Sequence, residues 1–238
     1  MKTNYTKRRG FTLVELLVVI VIIAALAGLT APMVIRQRKK ADQTEAVNNA
    51  RQIGLAMFEF ETEYGSYPDA TLGEVINTNT GTTLAPTTIT TSNDAFKQLL
   101  AAGIAGSEVM FFCKTAYSTL KPDNVYNTAA NMLEAGNVGF GYMMNTGSKA
   151  FSTAGNSGRV IAVAPLLYAT AFTSQQFDRD VYDSKAVALK LDNSVTSLTI
   201  NAANQAVLGG INKLFDTGAA TVWGAGATPT LSNPLPKK

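Results

Sequence analysis

The chain has 238 residues, enough for one sizeable domain or two small ones, with 46% apolar and 16% charged residues. It holds no histidine and one cysteine, Cys113. This excludes Ser–His–Asp and Cys–His nucleophile pairs, histidine-ligated metals and an intrachain disulfide. The formal net charge is +3, and Lys2, Lys7, Arg8 and Arg9 alone supply four positive charges with no acid among residues 1–10, so the remainder stands at −1 and offers little to nucleic acid.

Residues 1–9 are polar and basic. From Leu16 to Ala31 every residue is apolar or small, and with Phe11 to Glu15 the segment reaches 21 residues. At about 1.5 Å per residue a helix of that length spans roughly 30 Å, the thickness of a bilayer core. A secretory signal would place a small-residue cleavage site after the apolar run, whereas Ala25-Leu26-Ala27 lies inside it. The basic start favours a cytoplasmic N-terminus with the C-terminal part exported. Arg36, Arg38, Lys39 and Lys40 on the far side oppose that, and the charge rule alone leaves orientation open. Glu15 is the anomaly, because a carboxylate inside an apolar membrane segment is costly.

The helical pattern then turns amphipathic. Val47, Ala50, Ile53, Met57, Phe60 and Tyr64 recur every three or four residues, with Asp42, Glu45, Arg51, Glu59 and Glu63 at other positions. Gly28 and Pro32 are expected to interrupt or bend the rod, and Gly65 and Pro68 in "YGSYPD" to end it.

The run "RRG-FTLVELLVVIVIIAALAGLTAP" resembles the N-terminus of type IV prepilins and type II secretion pseudopilins. The matching features are a basic leader ending in Gly10, then Phe11, Thr12, Leu13, Glu15, the apolar run, and Pro32 where many pilins carry a helix-loosening proline. "YGSYP", Tyr64 to Pro68, is similar to the helix exit of the G-type pseudopilins. The resemblance covers residues 1–68. It implies a pilin fold of the α+β class, a long N-terminal helix packed on an antiparallel sheet. It divides the chain into a leader (1–10), a membrane and assembly helix (11–32), its amphipathic continuation (33–65) and an exported globular part (66–238). It also implies cleavage between Gly10 and Phe11 by a prepilin peptidase, with Arg8 and Arg9 in the processing site, and methylation of the new Phe11 amine. Polymerisation would run through the helix, with Glu15 and Pro32 in assembly. The implied partners are further copies of the chain, the peptidase and methyltransferase, the inner-membrane assembly platform and the membrane itself, not nucleic acid. The implied location is the bacterial inner membrane, then a periplasmic or extracellular filament.

Cleavage would also account for Glu15. A cation freed at Phe11 and an acid four residues on are each costly in lipid alone but offset one another when paired. Between neighbouring helices the same pair would set axial register, as one buried polar residue does in coiled coils. The plainer reading places Glu15 against lipid headgroups.

In residues 69–238, Thr71 to Asn93 reads as a loop with short extended pieces, and Asn93 to Gly103 as a capped helix with Phe96, Leu99 and Leu100 on its apolar face. "VMFFCKTAY" reads as a buried strand, with Cys113 a core residue. Val138 to Asn145 and Arg159 onward read as strands, the second stopped or held at an edge by Pro165. Ala186 to Ile200 reads as a hairpin about Asp192, Asn193 and Ser194, "AANQAVLGGINKLFD" as short helical pieces, and the tail as extended. The expected core comprises Ile53, Met57, Phe60, Phe111, Phe140, Ile161, Leu189, Leu191 and Leu198, with Trp223 in a satellite cluster rather than on an adhesive surface.

Little in this part suggests chemistry, and no catalytic residue or cofactor is expected. Asp178, Asp180 and Asp183 are weak calcium candidates, because the EF-hand pattern fails for want of its glycine and terminal glutamate. "GFGYMMNTGSK" lacks the GK[ST] of a phosphate loop. The reading is a structural subunit. The alternatives are a non-polymerising membrane-anchored protein with an exported binding domain, and a minor pilin acting as adhesin or DNA receptor. The near-neutral mature charge speaks against DNA.

Overall fold

The computed structural model describes residues 10–167, 171–208 and 212–237. They divide into two compact units, one ending at Lys39 and one running from Lys40 onward. Helix α1 (Leu13–Tyr64) is unbroken. Gly28 and Pro32 both lie inside it, so the expected interruption does not divide it. Pro32 removes one donor, the N–H that would meet the Gly28 carbonyl. Two residues earlier the Thr30 hydroxyl donates to the Leu26 carbonyl at 3.0 Å. The helix ends where expected, with Gly65 at φ +81° just beyond Tyr64, a left-handed stop that glycine takes without strain.

In the second unit the C-terminal half of α1 buries Ala46, Asn49, Ala50, Ile53, Gly54, Ala56, Met57 and Phe60, the spacing of one helix face. Against it stands a seven-stranded antiparallel sheet in the order β8-β7-β6-β5-β2-β1-β9. Its strands are β1 (Gly141–Asn145), β2 (Val160–Ala164), β5 (Lys185–Lys190), β6 (Val195–Ile200), β7 (Ala206–Leu208), β8 (Asn212–Lys213) and β9 (Pro229–Ser232); β3 (Leu166–Leu167) and β4 (Gln176–Phe177) form a separate pair. The β5–β6 hairpin closes with Leu189 opposite Val195 and Lys185 opposite Thr199. Every residue of β2 and Ala186 to Leu189 of β5 are buried, so the sheet's centre is covered on both faces. In β6 only Leu198 and Ile200 are buried, the alternation of a strand with one wet face. All nine expected core residues are buried. Trp223 is buried too, stacked on Phe151 and edge-on to Phe172, with its indole N–H donating to the Leu214 carbonyl at 2.9 Å.

Three expectations are corrected. Within the Thr/Asn-rich stretch, α2 (Gly73–Thr80) is a helix. Ile76 is fully buried, the Thr78 and Thr80 hydroxyls donate to the carbonyls of Glu74 and Ile76, and the Asn77 amide brackets the backbone of Ala85. Packing and side-chain bonds override a composition that disfavours helix. "VMFFCKTAY" is not a strand. Glu108–Phe111 form a 3-10 turn, and the Asn49 side chain donates to the carbonyls of Val109 and Phe112 at 3.3 and 2.8 Å. An amide from α1 thus takes the place of a neighbouring strand. "AANQAVLGGINKLFD" is not helical at Ala206–Leu208 and Asn212–Lys213, which pair as β7 and β8 because the sheet edge supplies the hydrogen bonds. The expected helix is α3 (Ser92–Ala101), and its cap is Thr91, two residues ahead of Asn93, in a capping box with Asp94.

Candidate processing and assembly segment

Helix α1 begins at Leu13, and Thr12 stands at its N-cap. The Thr12 hydroxyl accepts the Glu15 N–H at 3.2 Å, while Glu15 Oε2 accepts the Thr12 N–H and hydroxyl, both at 2.8 Å. This reciprocal arrangement is a capping box. It satisfies two of the donors a helix start leaves unpaired and sets the carboxylate against the positive end of the helix dipole. Thr-x-x-Glu at residues 12–15 is the sequence signal for it, and the role of Thr12 was not anticipated. Glu15 is thus held by its own helix before any partner arrives, and Oε1 makes no hydrogen bond among the described residues.

Phe11 is 81% exposed, and Gly10 beside it is exposed as well. Among the described residues a Cβ built on Gly10 would meet nothing within 4 Å, so their packing has no need of glycine there. Arg8 and Arg9 lie outside the described residues. From Leu13 to Ile35 every side chain is exposed, and the helix is long and apolar enough to cross a membrane. Those 23 residues rise about 34 Å, against a hydrocarbon core of about 30 Å. An exposed helix that is apolar on every side, with Glu15 the one charge in the stretch, is a surface for lipid or for other helices.

Residues 5–31 match the family model described as a prokaryotic N-terminal methylation motif. The type II secretion system core protein G of Escherichia coli strain K12 is 39% identical over 67 residues, 28% of this chain and 46% of that protein. The protein of the same name from Aeromonas hydrophila is 39% identical over 69 residues, 28% of this chain and 48% of that protein. The type IV major pilin protein PilA of Myxococcus xanthus is 36% identical over 63 residues, 26% of this chain and 29% of that protein. The N-terminal segment is similar to those of pilins and pseudopilins. The chain spans just under half the length of the protein G relatives. No solved structure matches. The likeness to pilins and pseudopilins therefore carries the α1 segment, and the large sheet domain stands on its own geometry.

In the second unit, the structure brings together two of the three calcium candidates. Asp178 Oδ1 accepts the Asp180 N–H at 2.9 Å in a local turn, and both acids line one polar hollow with Arg179, Ser184 and Asn204. Asp183 is not part of that hollow. Among the described residues no three His, Cys, Asp or Glu side chains are placed to hold a metal. Cys113 is buried, and burial pushes its thiol up to about 12, which keeps it protonated and unreactive at neutral pH.

Proposed function

We propose that the chain is the precursor of a filament subunit, of a type IV pilus or a type II secretion pseudopilus. In this reading it is anchored in the bacterial inner membrane by α1, cut after Gly10, methylated at Phe11 and polymerised through the N-terminal helix. The observation that carries the reading is the methylation motif over residues 5–31 coinciding with an exposed Gly10–Phe11 bond and a first-turn Glu15. Gly10 suits a tight peptidase site, since packing among the described residues does not require it. After the cut, the Phe11 amine is a cation one turn from Glu15. Thr12 keeps Oε2 oriented, which leaves Oε1 to accept from the Phe11 amine of a neighbouring copy. That contact would set the stagger between helices. The peptidase and methyltransferase, the assembly platform and further copies of the chain are the partners this reading requires, and the chain itself catalyses nothing in it.

The test is mass spectrometry of material sheared from cells. The expected result is a chain beginning at N-methylated Phe11, recovered in filaments from wild type and lost from the sheared fraction in Glu15→Leu. Native material that begins at Met1 and sediments as single particles would overturn the reading.

A further inference from the structure

Four of the five residues from 36 to 40 are basic: Arg36, Arg38, Lys39 and Lys40. They lie on α1 directly after its apolar stretch, and none makes an ion pair among the described residues. The helix carries acids close by, and Asp42 stands four residues after Arg38, a spacing suited to pairing. Those acids are engaged elsewhere: Lys114 reaches Asp42 at 3.1 Å and Lys121 reaches Glu45 at 3.6 Å. Arg36, Arg38 and Lys40 are exposed and Lys39 partly so. The helix thus keeps an unneutralised set of cations next to its apolar surface, while the globular domain supplies lysines to the acids beyond.

Depth identifies the partner. With Leu13 at the near boundary of the hydrocarbon, Arg36 lies about 34 Å further along the helix axis. That passes the core of about 30 Å and falls within the headgroup layer, which extends the bilayer to about 40–45 Å. Long basic side chains at that level reach out to phosphates. We propose that Arg36, Arg38, Lys39 and Lys40 bind anionic phospholipid headgroups of the far leaflet and so set how deep the helix sits before assembly. This rests on the membrane anchoring in the proposed function and adds a lipid class to it. It also gives a use to charges that, on the exported side, oppose the usual orientation bias.

The test reconstitutes the full-length chain in vesicles of equal phosphatidylcholine and phosphatidylglycerol. It measures by electron spin resonance the association of spin-labelled phosphatidylglycerol relative to spin-labelled phosphatidylcholine. The comparison chain carries Arg36→Gln, Arg38→Gln, Lys39→Gln and Lys40→Gln; the leader's basic residues remain in both, so the difference reports the run. We expect selectivity about two-fold or more higher in the native chain, with the difference abolished in molar salt. A variant with Arg36→Lys and Arg38→Lys keeps the charge and is expected to keep the selectivity. Equal selectivity in the native and glutamine chains, both retained after an alkaline wash, overturns the proposal and turns the run toward acids of a second copy. Loss of both chains from the vesicles in that wash overturns the membrane anchoring instead, and the proposal with it.

Discussion

Glu108 is 1% exposed, and the charges that act on it, Asp123 and Glu134, share its sign. Its carboxylate accepts the Leu133 N–H at 2.6 Å. Burial raises its pKa above the ordinary carboxylate value, and the two neighbouring acids add to this; backbone donors at Leu133 and Asn124 pull the other way. The folded chain therefore holds a proton over a pH interval in which the unfolded chain has lost it. Within that interval, above the ordinary carboxylate pKa, stability grows as pH falls and shrinks as pH rises. Glu108→Gln removes the titration while its amide oxygen can still accept from Leu133. In thermal unfolding of the full chain in detergent micelles, the gain in melting temperature on lowering the pH through that interval is expected to be smaller in Glu108→Gln. An identical pH slope in both chains would refute this. Glu108→Ala should instead cost about 1–3 kcal/mol at either pH, because it leaves the Leu133 N–H unpaired.

Between elements, one glycine decides how the sheet meets the helix. A Cβ on Gly54 of α1 would overlap the Asn193 side chain and stand 2.9 Å from Leu189 Cδ1. Asn193 lies in the β5–β6 turn at φ +61°, a left-handed conformation asparagine tolerates. In an open helix Gly→Ala gains about 0.8–1 kcal/mol. Here overpacking costs about 1–3 kcal/mol, so Gly54→Ala is expected to lower stability on balance. Adding Asn193→Gly should recover part of the loss, a non-additive pair. A raised melting temperature in Gly54→Ala, or strict additivity, would show that the turn does not rest on this glycine.

The same junction shows what the sequence made legible. The buried face of α1, the β5–β6 hairpin and the left-handed stop at Gly65 follow from period and turn chemistry, which are local. Thr12 was equally local, signalled by Thr-x-x-Glu. The contact of Gly54 with Asn193 joins residues far apart in the chain, and no pattern announces it. The strand expected about Cys113 failed for the same reason, because its polar backbone is served by Asn49 from a distant helix turn. Helix α2 failed because Ile76 and Asn77 act through tertiary partners that composition does not reveal.

Across the whole domain, residues 112–140 run without helix or strand, a length at which connections are normally pinned or disordered, yet they bury Cys113, Met132, Leu133, Val138 and Phe140. The pins come from several directions. The Asn93 amide donates to the carbonyls of Leu133 and Glu134, Glu108 accepts from Leu133, and the Gly136 N–H donates to the Leu235 carbonyl. The C-terminal stretch closes the arrangement: the Leu235 N–H donates to Asn93 Oδ1, the Ser92 N–H donates to the Asn233 carbonyl, and β9 flanks β1 from Tyr142 to Asn145. One short segment thus holds the start of α3, the long connection and a sheet edge together. Stopping the chain after Ala227 removes all three attachments at once. Hydrogen exchange on the chain truncated after Ala227 is expected to quicken in β1, in residues 119–137 and in the first turn of α3 together, while the β5–β6 hairpin keeps its protection. Faster exchange in β1 alone would mean that the connection is held by Glu108 and Asn93 without help from the tail.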